Sequence, residues 1–189
     1  MVEDEEGRRE ARRCRVEELE PGVDWSRSFH LARLKGLSPD DKSILFKVLH
    51  QLLPTGERVN RLQPNKSPAC SLCSAAPIET LHHAIFICEA NKPAAQAMLR
   101  YAQCYDPSLT PNGLLHLEVD AQDPFNLPTI AIISTGLQLL WKNRNKSQST
   151  SLASMRAELE ARTQLFCKTR GRRLREAGAI MANILAINM

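Results

Sequence analysis

Aromatic side chains are scarce in this sequence: two Trp, two Tyr and five Phe make up 5% of 189 residues. Strands packed into a sandwich rely on aromatic and β-branched residues, so an all-β core is disfavoured. The 43% apolar content is mostly Leu, Ile and Ala, which favours helices. Long apolar runs are lacking too. The richest, Ile130 to Trp141, is broken by Ser134, Thr135 and Gln138, short of the roughly 18 uninterrupted residues of a membrane span. The opening Met-Val-Glu-Asp-Glu-Glu has no apolar stretch behind it, so no secretory signal is expected. There is no Gly-rich phosphate loop, no nucleophile elbow and no pocket-like pair of carboxylates. Catalysis is therefore not expected. These absences predict an intracellular protein, in nucleus or cytoplasm, with neither a membrane nor a small-molecule substrate as partner. In that compartment thiols stay reduced, and closely spaced cysteines point to metal before disulfide.

What is present is helical punctuation. Ser38-Pro-Asp-Asp41 supplies an N-cap serine, a proline at the first helical position and two acids at the positive helix end. Behind it Ile44, Leu45, Val48, Leu49, Leu52 and Leu53 keep a helical period up to Pro54. Thr55-Gly-Glu-Arg58 opens a short second helix through Val59 and Leu62. Further helices are predicted over Glu79–Ile87, Pro93–Cys104, around Leu114–Leu117, over Pro128–Asn145, and from Leu152 onward, where Gly171 and Gly178 are candidate dividers. The expected fold is all-α: five to seven short helices plus an irregular zinc knuckle. Three segments follow from composition. Residues 1–22 form a charged tail, disordered or a frayed helix, with eight acids and five arginines among the first twenty. Residues 23–104 form a helical zinc-binding domain, and 105–189 a C-terminal helical region carrying a basic cluster.

The knuckle rests on Cys70-x-x-Cys73, followed by His82-His83 and Cys88, which gather three of the six cysteines and two of the five histidines. A Cys-x-x-Cys turn aims two thiolates at one centre, and a His and Cys a few residues apart complete a tetrahedral set. Both His83, with four residues between it and Cys88, and His82, with five, satisfy the spacing. Four protein ligands leave no position for water, so one zinc ion here is structural. A redox Cys-x-x-Cys wants an electropositive helix start beside a strand, which Ala75-Ala76-Pro77 does not offer. Cys14, Cys104 and Cys167 have no partner at ligand spacing and are expected as thiols.

Leu53-Pro-Thr55, Arg58, Arg61, Cys70-x-x-Cys73, Glu79-Thr80, His83 and Cys88 together resemble the zinc-binding region of non-LTR (LINE-type) retrotransposon reverse transcriptases. That resemblance selects His83 over His82, giving Cys70, Cys73, His83 and Cys88 as the ligand set. Leu140-Trp-Lys-Asn-Arg144 is similar to the Trp-x-x-Arg helix that follows in such polyproteins, and Arg156-Ala-Glu-Leu-Glu160 to their C-terminal helices. The resemblance covers roughly residues 23–175. In that family the region follows the polymerase and is thought to grip RNA template or target DNA. No Tyr/Phe-x-Asp-Asp turn occurs here, since Tyr105-Asp106-Pro107 lacks the second carboxylate. The resemblance thus implies a detached C-terminal fragment without its polymerase domain.

Net charge is only +4, but its distribution is uneven. Ten Lys and Arg between Trp141 and Arg175 face only Glu158 and Glu160. Lys142, Arg144, Lys168, Arg170, Arg172, Arg173 and Arg175 are the candidate contacts to RNA or DNA, because cations on phosphates release counterions without reading bases. A solvated helix face and a nuclear targeting signal are the other readings of the same arginines. The alternative function is a protein-interaction or purely structural module docking on the parent polymerase domain, which predicts an exposed Ile130–Trp141 face.

Overall fold

A computed structural model of the chain describes residues 23–119 and 126–187. The charged tail and Cys14 lie outside these residues. Eight α-helices occur among them: α1 Trp25–Leu31, α2 Pro39–Leu49, α3 Gly56–Leu62, α4 Lys92–Gln103, α5 Pro111–His116, α6 Asn126–Asn145, α7 Leu152–Lys168 and α8 Arg172–Ile187. A π-helical turn, His83–Ile87, stands between α3 and α4. The only pairing of extended backbone among the described residues is an antiparallel bridge between Ala69 and Ile78. The all-α expectation holds, with more helices than anticipated, because Trp25–Leu31 was not foreseen.

Local chemistry sets the helix starts. Ser38 accepts from the Asp41 backbone N–H while the Asp41 side chain accepts from Ser38 N, a complete capping box. Thr55, Thr110 and Ser151 cap α3, α5 and α7 through their hydroxyls. Helix α2 ends at Leu49 rather than running to Pro54: His50 caps it and Gln51 turns into positive φ (49°). Leu52 is consequently exposed, while Leu53 still reaches the core.

Helix α6 is the axle. Ile130 to Leu137 are all buried, Ser134, Thr135 and Gly136 among them, so this helix is covered on every side. It packs against α2, α4, α7, α8 and the π turn. Gly136 lies directly against Met98 of α4, where a Cβ has no room. One buried cluster extends from Trp25 to Leu185 and draws side chains from both sides of residue 104. The Ile130–Trp141 face, expected exposed under the docking alternative, is covered by the chain's own helices. Gly171 separates α7 from α8 as anticipated, but Gly178 does not divide anything. It sits mid-helix in α8, where an added Cβ would come within 2.7 Å of Cys167 N and 2.9 Å of Phe166 Cβ. The glycine lets α8 lie against α7.

Two buried ion pairs cross this core. Asp41 accepts from Ser134 Oγ (3.0 Å), from Gln138 Nε2 (2.8 Å) and from the Arg162 guanidinium, tying α2 to α6 and α7. Burial raises the Asp41 carboxyl, but hydrogen bonds from Ser38, the Arg162 charge and the Ser134 hydroxyl outweigh it and hold the group below its ordinary value. Glu79 is the acid of the second pair, with Arg144.

Candidate metal centre

Three pieces of chain converge on one point. The first is the turn Cys70–Cys73, closed by Cys70 N to Pro77 O (2.8 Å) and Ala76 N to Cys73 O (3.1 Å). Ala76 takes φ of 42° to complete it. The second is His83, at the start of the π turn, whose backbone N–H donates to Thr80 Oγ1 (3.0 Å). The third is Cys88, just past the π turn, whose N–H donates to His83 O (2.8 Å). That last bond spans five residues, the π spacing. In an α-helix five residues rotate the chain well past one turn; the wider i→i+5 winding returns it to nearly the same face. His83 and Cys88 thereby look the same way.

The donor atoms Cys70 Sγ, Cys73 Sγ, Cys88 Sγ and a ring nitrogen of His83 all lie within 4.8 Å of one another. Cys70 and Cys88 sulfurs are 3.8 Å apart, Cys73 and Cys88 sulfurs 3.6 Å, and Cys73 Sγ to His83 Nε2 is 3.5 Å. A tetrahedral ion held at about 2.3 Å from sulfur and about 2.0 Å from nitrogen separates its ligands by about 3.8 Å (sulfur to sulfur) and about 3.5 Å (sulfur to nitrogen). The observed edges match that figure, and the sulfurs are far too distant for a disulfide, whose bond is near 2.05 Å. The four side chains lie close enough to hold a metal ion.

Electrostatics point the same way. Burial pushes the Cys88 thiol up to about 12; a hydrogen bond from the Ala90 backbone opposes this, and the neighbouring Cys73 and Cys70 thiols add to it. A cation bound at such a site would invert that order by deprotonating its thiols outright.

No family model, curated protein or solved structure matches this chain.

His82, the rival ligand, faces elsewhere: it packs on Phe86 (ring centroids 5.8 Å apart) and lines a cleft. Cys104 and Cys167 are exposed and lie outside the cluster. The centre is also braced by residues that spacing alone did not reveal. Glu79 accepts from Gly56 N (2.7 Å) and takes the Arg144 guanidinium on both oxygens, with Nε to Oε1 at 2.9 Å. This bidentate pair fastens the metal loop to α3 and α6 at once. Arg144 also lies over the Trp141 ring, 4.9 Å from its centroid. On the opposite flank Asn91 donates to Ala84 O (2.8 Å) and accepts from Thr150 Oγ1 (3.1 Å), holding the π turn against the α6–α7 connection.

The basic candidates divide. Lys168, Arg170, Arg172, Arg173 and Arg175 are all exposed and crowd the corner between α7 and α8. Arg172 pairs with Glu176 (3.2 Å) in a fully solvated position, and Arg175 donates to the Thr169 and Arg170 carbonyls. Lys142 is exposed on α6. Arg144, by contrast, is half-buried and engaged with Glu79, so that its guanidinium braces the fold. Arg162, from the same basic stretch, is likewise held by Asp41.

Proposed function

We propose that this chain is a zinc-stabilised helical accessory domain, akin to the zinc-binding region of non-LTR retrotransposon reverse transcriptases, that grips RNA or DNA without catalysing a reaction. Zinc is favoured over other metals by the donor set, since three thiolates and one imidazole at tetrahedral edges suit a soft-tolerant ion with no geometric demand of its own. Cys70, Cys73, His83 and Cys88 fill the coordination sphere, which supports a structural role. The kinship reading gains support from the Glu79–Arg144 pair, because the two stretches that carry the resemblance, Glu79-Thr80 and Leu140–Arg144, interlock.

The observation that carries nucleic-acid contact is the α7–α8 corner, where five cationic side chains stand exposed over eight residues, Lys168 to Arg175. Among the described residues, only Arg172 of the five is paired with a carboxylate. Such a corner neutralises phosphates and needs no base readout. The test is titration of labelled RNA and DNA at several salt concentrations, with wild type and with Arg170, Arg172 and Arg173 changed to Ala. Wild-type affinity should fall steeply with salt. The triple variant should bind more weakly and show a salt slope smaller by about 2–3. Binding that ignores both salt and the substitutions would refute the proposal. The docking alternative predicts salt-insensitive self-association and no shift of RNA in the same titration, and the covered Ile130–Trp141 face does not favour it.

A further inference from the structure

Beside the metal loop, α2, α3 and α5 leave a cleft of about 220 Å³. It is smaller than the roughly 300–1,000 Å³ of sites that enclose a cofactor, and its size suits one planar heterocycle. Leu49 and Leu115 give it apolar walls, while Gln51, Asn112, His82 and His116 present amide and imidazole groups. Those groups offer donors and acceptors together, which is what the edge of a nucleobase needs. Glu57, also in the lining, is paired with Arg61 (3.6 Å).

A run of rings leads from this cleft to solvent. His116 meets Trp25 edge-on (centroids 5.4 Å apart), Trp25 meets Phe29 (6.0 Å), Phe29 stacks on His50 (4.9 Å, 17° between planes), and His50 meets Phe46 (4.2 Å). Phe46 is 46% exposed, although aromatics are otherwise sparse in this chain. Cations flank it. Lys42 precedes Phe46 by one helical turn and Lys47 adjoins it, both exposed. Arg58 Nη1 donates to the carbonyl of Gln51, a lining residue, at 3.0 Å.

We infer that the cleft and the Phe46–His50 ring ledge together take unpaired bases of a single-stranded nucleic acid, with one base in the cleft and another, further along the strand, stacked on Phe46. Lys42, Lys47 and Arg58 track the intervening phosphates. Stacking on aromatics with a basic path alongside is the usual way that proteins hold single strands. This deepens the proposed function, on which it rests, by naming the strand that the domain prefers: the α7–α8 corner senses phosphate alone, whereas this second surface requires a free base.

The test separates bases from phosphates. Fluorescence anisotropy measures affinity for a labelled single strand of about a dozen nucleotides, its duplex, and an abasic strand with the same number of phosphates. Wild type should bind the ordinary single strand at least about fivefold more tightly than the abasic one. Phe46→Ala and Asn112→Ala should erase that preference while leaving abasic binding unchanged. Both residues lie at the surface, and zinc content with far-UV circular dichroism verifies that the variants fold. The Arg170/Arg172/Arg173 variant should weaken both strands alike. Equal binding of the ordinary and abasic strands by wild type overturns this inference but leaves the proposed function standing. A base preference undiminished in both variants overturns the assignment to this cleft, and no binding to any strand overturns both.

Discussion

Arg144→Met is the most informative single change, because it decides whether a basic side chain serves the fold or the surface. The substitution keeps an unbranched stem and removes the charge. Glu79 stays behind, 1% exposed, with Gly56 N the one remaining donor to its side chain among the described residues. Breaking a buried pair from one side costs about 3–5 kcal/mol, mostly from the stranded charge. At about 2–4 °C per kcal/mol for a chain of this size, Tm should fall by about 6–20 °C. Removing both charges is less harmful: Glu79→Gln with Arg144→Met should be more stable than Arg144→Met alone by at least about 1 kcal/mol. Thermal and urea unfolding of the single and double variants measure this coupling directly. Nucleic-acid titration on the folded variants supplies the contrast, with an unchanged salt slope expected. An unaltered Tm together with a loss of nucleic-acid affinity would place Arg144 at the interface and refute the reasoning.

Four further outcomes follow from the structure. Cys73→Ser should reduce metal content from one zinc per chain to none and unfold the knuckle, with much of the helical signal retained in far-UV circular dichroism; metal analysis showing full retention would exclude this ligand set. Zinc affinity should also fall as pH drops, because the ligands must shed protons to bind. Asp41 has a depressed carboxyl, so its contribution to stability is complete above the ordinary value of 3.8 and disappears as pH falls through the lower folded value; Asp41→Asn should cost about 2–4 kcal/mol at neutral pH and little in strong acid, read from urea midpoints across pH. Gly178→Ala forces a Cβ against Cys167 N at 2.7 Å, backbone that cannot swing aside, and should destabilise by about 1–3 kcal/mol, whereas Gly171→Ala, with nothing nearer than 3.7 Å, should be mild.

Local chemistry was legible in the sequence wherever one short stretch determines the outcome. Ser38-Pro-Asp-Asp41 and Thr55-Gly gave their helix starts correctly, and Cys-x-x-Cys with His and Cys downstream foretold the donor cluster. Features set by distant partners were not legible. Asp41 looked like a helix-end acid, and only folding brings it to Arg162, 121 residues away. Glu79 and Arg144, 65 residues apart, carry no mark in spacing that they will meet, so Arg144 was counted with the surface cations beside it. Gly178 looked like a break because glycine weakens helices; its reason is contact with α7, which no one-dimensional pattern records. The expected helix over Glu79–Ile87 has the right location but the wrong winding, since α and π turns draw on the same residues and differ in what they must point at.

The π winding has a consequence for how firmly the ion and the backbone depend on each other. Were His83–Ile87 to tighten into ordinary α geometry, the residue one turn before Cys88 would be Ala84, a methyl group. The imidazole would swing aside, and an ion held there would keep three sulfurs and no nitrogen. Metal binding at these four residues would therefore be latched to helix register: loading an ion would select the loosened coil, and any change that favours the tighter coil would eject a ligand without touching it.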